Sequence, residues 1–279
     1  MQLPVETTVK QVQLNVANLD NMIDFYTKII GLKLVERLGN QAMLSTQGSM
    51  EPLLLLEEHP GQSANSHTTG LYHTAFLLPS RKDLGNTLLW LLQNQQELGA
   101  ADHGYSEALY LTDPEGNGIE IYHDKPMDDW DIRANGEIVG VTEELDGAAV
   151  AEAADGQWLG LAPGSRLGHI HLQVADLEET QRFYEQLGFS LTSNFGRQAK
   201  FFAAGNYHHH IGTNTWAGRQ LPLRSKDQLG LTTYTFQLPS KERVEELKVH
   251  LKEQQLLFEE QTNGVILADP NGMFIAFQY

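Results

Sequence analysis

The chain of 279 residues contains no cysteine. That absence excludes disulfide staples, thiolate zinc sites, iron–sulfur clusters and a cysteine nucleophile. Basic side chains are also scarce, 19 against 36 acidic ones, for a formal charge of −17. Nucleic acids and anionic membranes both require a basic footprint, so neither is an expected partner. The opening MQLPVETTVK has no long apolar run and reads as neither signal peptide nor membrane helix, so a soluble cytoplasmic protein is expected. At about 100–200 residues per domain, the length suggests two domains or one duplicated unit.

The acidity is uneven. Residues 1–123 carry a net −8, residues 124–155 another −8, and residues 156–279 only −1. The middle stretch therefore reads as a solvated connector, and the expected division is 1–123, an acidic linker over 124–165, and 166–279. Within the linker, Thr142 ahead of EELDGAAVAEA is positioned to cap a short helix.

Self-comparison reveals a duplication. VQLNVANLDNMIDFYTKIIGLKL (12–34) aligns with IHLQVADLEETQRFYEQLGFSL (170–191), GLYHTAFLLPS (70–80) with GLTTYTFQLPS (230–240), and DPEGNGIEIY (113–122) with DPNGMFIAFQ (269–278). Offsets stay between 156 and 160, and the three blocks keep their order.

Each half divides again. Residues 9–17, 70–78, 167–175 and 229–238 read as strands, each running into an amphipathic helix. Asn18, Ser80, Asp176 and Ser240 stand where N-caps belong, and Pro79 and Pro239 break the chain ahead of the second and fourth helices. Short strands follow the helices: LKLVER, QAMLST and PLLLLEE in the first quarter, FSLTS, QAKFFAA and HHHIG in the third. DPEG and DPNG are turn signatures before the last strand of each half. The chain reads as four β-α-β-β-β quarters.

Four such quarters, with these turn-and-strand endings, resemble the vicinal oxygen chelate superfamily (glyoxalases, bleomycin-resistance proteins and extradiol dioxygenases) over nearly the whole chain except the linker. The resemblance implies an α+β fold of two tandem modules, each of two quarters, whose mixed sheets curl into cups around a metal. It also implies metal ligands on the first strands of two paired quarters and on one last strand. At the first-strand positions stand Gln11, His73, His169 and Thr233; at the last-strand positions stand Glu120 and Ala276. The second and third quarters together keep His73, Glu120 and His169, whereas the first and fourth keep none. Paired two with three, those residues form a 2-His-1-carboxylate triad of the kind that holds non-haem Fe(II) and leaves coordination positions open. If each half closed on itself, Gln11 would join His73 and Glu120, and His169 would stand alone.

Other residues gather around this set. In NYHHHIGTNTW (206–216), strand alternation puts His208 and His210 on one face and His209 on the other. The resemblance implies that His210 is an acid–base residue beside the metal and that Tyr110 is the active-site tyrosine. His171, two residues from His169, shares its face. His103 falls two positions from a family histidine, and Asn214 and Trp216 are candidates for the mouth of the cup. With His208, these complete the candidate substrate-binding set. The resemblance implies a ring-cleaving dioxygenase of the catechol 2,3-dioxygenase type, acting on a catechol- or hydroquinone-type aromatic diol and O2 with Fe(II). Mn(II) or another divalent metal also suits the triad. The alternatives are a glyoxalase- or fosfomycin-resistance-like lyase or thiol transferase, and a metal-free ligand-sequestering protein. A homo-oligomer is compatible with any of these.

Overall fold

A computed structural model describes residues 1–61 and 67–279. In chain order the elements are β1 (Thr8–Val16), α1 (Leu19–Lys28), β2 (Lys33–Leu38), β3 (Gln41–Ser45), β4 (Leu54–Glu58), β5 (Gly70–Leu77) and α2 (Arg81–Gln93). Next come β6 (Gly99–Asp102), β7 (Ser106–Thr112), β8 (Gly118–Asp124), α3 (Gly147–Glu152), β9 (Arg166–Gln173), α4 (Leu177–Leu187), β10 (Ser190–Asn194) and β11 (Ala199–Ala203). The chain closes with β12 (Ile211–Asn214), β13 (Gly230–Gln237), α5 (Lys241–Glu253), β14 (Glu259–Gln261), β15 (Gly264–Ala268) and β16 (Phe274–Gln278). The fold is mixed α+β: its described strands form two multi-stranded sheets, and the four quarters appear in the expected order.

The described chain divides into two compact units. One comprises residues 1–15, 67–72 and 169–279, the other residues 16–61 and 73–168. In the first, β1 pairs antiparallel with β13, with Gln11 opposite Thr235. The leading strand of the first quarter thus meets that of the fourth. Strand β13 continues through parallel β16 to β15 and β14, while β9 runs parallel to β12, which leads to β11 and β10. Helix α4 packs on β10 and β11, and α5 on β15 and β16. In the second unit, β5 runs parallel to β8, which leads to β7 and β6, and β4, β3 and β2 form an antiparallel run covered by α1.

The helices form for local reasons the sequence displays. The Asn18 side chain accepts the Asn21 N–H, Ser80 the Asp83 N–H, and Asp176 the N–H groups of Glu178 and Glu179, each satisfying donors a first turn leaves free. Leu19, Met22, Ile23 and Tyr26 of α1 recur at helical spacing and are buried. Two expected caps differ. Ser240 occupies the N-cap position without making the cap bond, its hydroxyl engaging the Glu242 carboxylate instead. The short linker helix starts at Gly147 under an Asp146 cap rather than at Thr142, because Glu143 is held in an extended bridge to Asp102. The linker's acids are mostly exposed, yet Trp130, Ile138, Leu145, Val150 and Leu161 are buried and Trp158 stacks on Trp90, so this stretch is anchored to the core.

Candidate metal centre and active site

The residues of β5, β7 and β8 that face one side follow from register. Parallel pairing sets His73 opposite Gly118 and Ala75 opposite Glu120; antiparallel pairing sets Tyr110 opposite Glu120. Alternation then puts His73, Tyr110 and Glu120 on a common face. Ala75, Leu77, Ala108 and Tyr122 form an apolar floor there, with Tyr110 packed against it. Above that floor His73 Nε2 lies 2.9 Å from Glu120 Oε2, with both side chains almost wholly buried. A carboxylate in such a place requires a partner, because burying an uncompensated charge costs several kcal/mol.

Tyr110 extends the polar set. Its ring lies 5.6 Å from that of His73, and its hydroxyl is 2.6 Å from His103 Nε2. His103 Nδ1 lies 2.8 Å from the Val141 carbonyl oxygen, which can only accept, so the neutral ring carries its proton on Nδ1. Nε2 is then the acceptor and the Tyr110 O–H donates to it. His103 thereby gains a definite partner although its sequence alignment was two positions out of step.

His169 lies in β9, 2% exposed. Its ring is 4.2 Å from that of His209 and 6.0 Å from that of His208, and the Nδ1 atoms of His208 and His209 are 2.8 Å apart. The histidine run is therefore not the strand expected from alternation. β12 begins only at Ile211, and His208 to His210 lie in the bend that returns the chain from β11. The turn at Gly205, with φ +67°, starts that return, and Thr192 donates to the His208 carbonyl where a ladder bond would otherwise be. With strict alternation lost, His209 as well as His208 comes against His169. His210 Nδ1 accepts the Ala204 N–H at 3.2 Å, and its ring packs 5.0 Å from Tyr207 and 6.4 Å from Phe236.

His171 is edged by Tyr72 at 5.1 Å, Trp216 at 5.3 Å and Phe201 at 5.6 Å. Asn214 is buried and accepts the Trp216 N–H. Tyr72 and Phe201 were not singled out from sequence, since their approach depends on strand order. Gln173 could have been found, because it continues the two-residue count from His169 through His171.

Among the described residues, one ligand atom each of His73, Glu120 and His169 lies within 4.8 Å of the other two. Two imidazole nitrogens and a carboxylate oxygen, all buried, make a donor set suited to a divalent first-row metal. One glycine is required beside this set: a Cβ on Gly168 would overlap the Tyr122 hydroxyl, so the residue before His169 has no room for a side chain.

Comparison with known proteins agrees with this architecture. The model of the Glyoxalase/Bleomycin resistance protein/Dioxygenase superfamily matches residues 8–121 and again 166–277. A Bacillus subtilis (strain 168) protein named Catechol-2,3-dioxygenase is 39% identical over 278 residues, covering 98% of this chain and 97% of that protein. The crystal structure of a putative dioxygenase from Bacillus subtilis subsp. subtilis str. 168 superposes with a TM-score of 0.67 at 12% identity, covering 100% of this chain and 86% of that one. That of glyoxalase I from Zea mays gives 0.59 at 15% identity, covering 98% and 92%. These two structures share the fold. The repeated family match, together with the near full-length relative, shows that this chain belongs to the glyoxalase/bleomycin resistance protein/dioxygenase superfamily.

Proposed function

We propose that this chain is an extradiol dioxygenase, an oxidoreductase that opens a catechol- or hydroquinone-type ring with O2 at a divalent metal, Fe(II), held by His73, Glu120 and His169. The observation that carries the reading is the buried His–Glu–His set with ligand atoms within 4.8 Å of one another, in a chain 39% identical to a protein named catechol-2,3-dioxygenase. The metal would supply a site where diol and O2 are brought together and charge on the diol oxygens is stabilised.

The protein's own groups prepare the rest. Glu120 offsets positive charge where water is scarce, and the His73–Glu120 contact keeps imidazole and carboxylate aligned. The Tyr110–His103 pair holds a proton at a defined place: the phenol donates to Nε2, and Val141 fixes the ring. On this reading Tyr110 shifts its proton toward His103 as a diol hydroxyl gives up its own, and returns it when product leaves. His210 is the second proton carrier. With Nδ1 accepting from Ala204, its neutral ring bears the proton on Nε2, the atom it would offer for exchange.

Metal analysis of untagged, freshly purified protein, followed by anaerobic Fe(II) loading and exposure to catechol in air, tests the proposal. Stoichiometric metal and a yellow ring-opened product are expected. Absence of both metal uptake and turnover of any diol would overturn it. The Gln11→Ala variant should retain metal, and its loss there would contradict the ligand set.

A further inference from the structure

Beyond the metal ligands, β9 carries a second group of polar side chains. His169, His171 and Gln173 alternate along one face, and the parallel register sets Gly212 beside His171 and Asn214 beside Gln173. Gly212 is needed there, since a Cβ would lie 2.9 Å from the His171 ring. Outside His171 stand Tyr72 and Trp216, 5.1 Å apart and respectively 40% and 53% exposed. Asn214, by contrast, is 0% exposed.

The orientation of the Asn214 amide is fixed. The Trp216 backbone N–H requires an oxygen, and Asn214 Oδ1 accepts it at 3.1 Å. Nδ2 therefore points elsewhere, and it is buried without a hydrogen-bond partner; so is Gln173 Oε1 across the register. Native proteins rarely leave a buried donor and a buried acceptor unmet side by side, because each costs folding free energy unless something binds there. Gln173 lies four residues along β9 from His169, about 13 Å at the usual rise per residue, farther than an unsubstituted diol ring reaches.

We propose that Asn214 and Gln173 form a specificity subsite that binds the uncharged polar end of an arm on the aromatic substrate, the arm lying against Tyr72 and Trp216. The donor Nδ2 and acceptor Oε1 together select a group that both accepts and donates, a carboxamide or a hydroxyl. The inference rests on the diol reading of the metal site and adds to it which diols are preferred: those extended by an apolar arm with a neutral polar tip.

Calorimetric titration of anaerobic, metal-loaded protein tests this without turnover. The probes are catechol and three 4-substituted catechols with identical arms ending in a carboxamide, a methyl or an ammonium group. Wild-type protein should bind the carboxamide arm roughly tenfold more tightly than the methyl arm. Asn214→Asp keeps the acceptor for Trp216 but turns the free donor into an acceptor, so it should lose the carboxamide preference and favour the ammonium arm. Gln173→Leu, at a half-buried position, should reduce the carboxamide preference without altering catechol binding. Equal affinity for the carboxamide and methyl arms in wild type, or variants that weaken all four probes alike, would overturn the subsite while leaving the diol reading intact. Failure of catechol itself to bind would overturn both.

Discussion

The two Asp-Pro turns and the strands they launch occupy equivalent places in the two halves, and they have diverged in an instructive way. In the first half, Asp113 accepts the N–H groups of Glu115 and Asn117, the Asn117 side-chain amide, and the Tyr26 hydroxyl at 3.0 Å. In the second, Asp269 accepts the N–H groups of Asn271 and Met273 and the Tyr234 hydroxyl, and Tyr184, the counterpart of Tyr26, reaches it only through Tyr234. Met273 stands where Asn117 supplies an amide. The strands that follow keep the same register, His73 opposite Gly118 in one and Thr233 opposite Phe274 in the other. Glu120 faces His73 in β8, whereas Ala276 of β16 is buried on the same face as Thr235, opposite to the face on which Phe236 and Phe277 stack 5.7 Å apart. The turn, the tyrosine latch and the register survive without the His–Glu pair, so the scaffold and the candidate site are specified by different residues.

The sharpest way to break the contrast is at its ends. Glu120→Ala should abolish stoichiometric metal retention, read by elemental analysis after dialysis, while Ala276→Ser leaves it unchanged. In the reverse direction, Ala276→Glu places an unpartnered carboxylate at a buried position and should lower unfolding free energy by about 3–5 kcal/mol in a urea titration, without creating a second metal site.

The turns themselves differ in acidity. Burial raises the Asp113 carboxyl against the opposing effect of four hydrogen bonds, the Asn117 amide foremost. Burial raises Asp269 to about 6, with the N–H groups of Met273 and Asn271, the Tyr234 hydroxyl and the charge of Arg224 pulling the other way. A folded-state pKa above that of the unfolded chain means the native protein binds more protons between about pH 4 and pH 6. Stability from this group is therefore present in full below about pH 4 and is lost as pH rises through 6, by about 3 kcal/mol. Asp269→Asn should flatten that part of the stability profile, measured by urea unfolding at pH 4.5 and pH 7, and Asp113→Asn should not copy it in size. Smaller still is the latch. Tyr26→Phe, which removes a direct bond to a carboxylate, should cost about 1.5–2 kcal/mol, and Tyr184→Phe, one hydroxyl further away, about 1 kcal/mol.

The same contrast explains what the sequence makes legible. Duplication, alternation and caps identify the four quarters, and His73, Glu120 and His169 can be found because ligand types stand at some repeat positions and not at others. The histidine run could not be placed this way. Alternation assigns faces only inside a ladder, and the Gly205 turn takes His208 and His209 out of one before His210 bonds again to Phe202 and Ile170, leaving His209 against His169. The Tyr110–His103 bond escaped for a related reason: it depends on Val141, in the linker, holding the imidazole. Three of the four expected N-caps formed their bonds, and the fourth, Ser240, lost its hydroxyl to a neighbouring glutamate, a competition that residue type alone does not decide.

The missing side chain at Gly168 has a consequence for how this centre can vary. Its place is taken by the hydroxyl of Tyr122, a residue of β8 two positions beyond Glu120. A larger residue before His169 would therefore have to be accommodated next to the carboxylate strand, displacing the floor on which Glu120 rests. The two residues are bound into one spatial allowance: a change at 168 is tolerable only alongside a smaller side chain at 122. Drift at either position alone would press on the strand that carries Glu120.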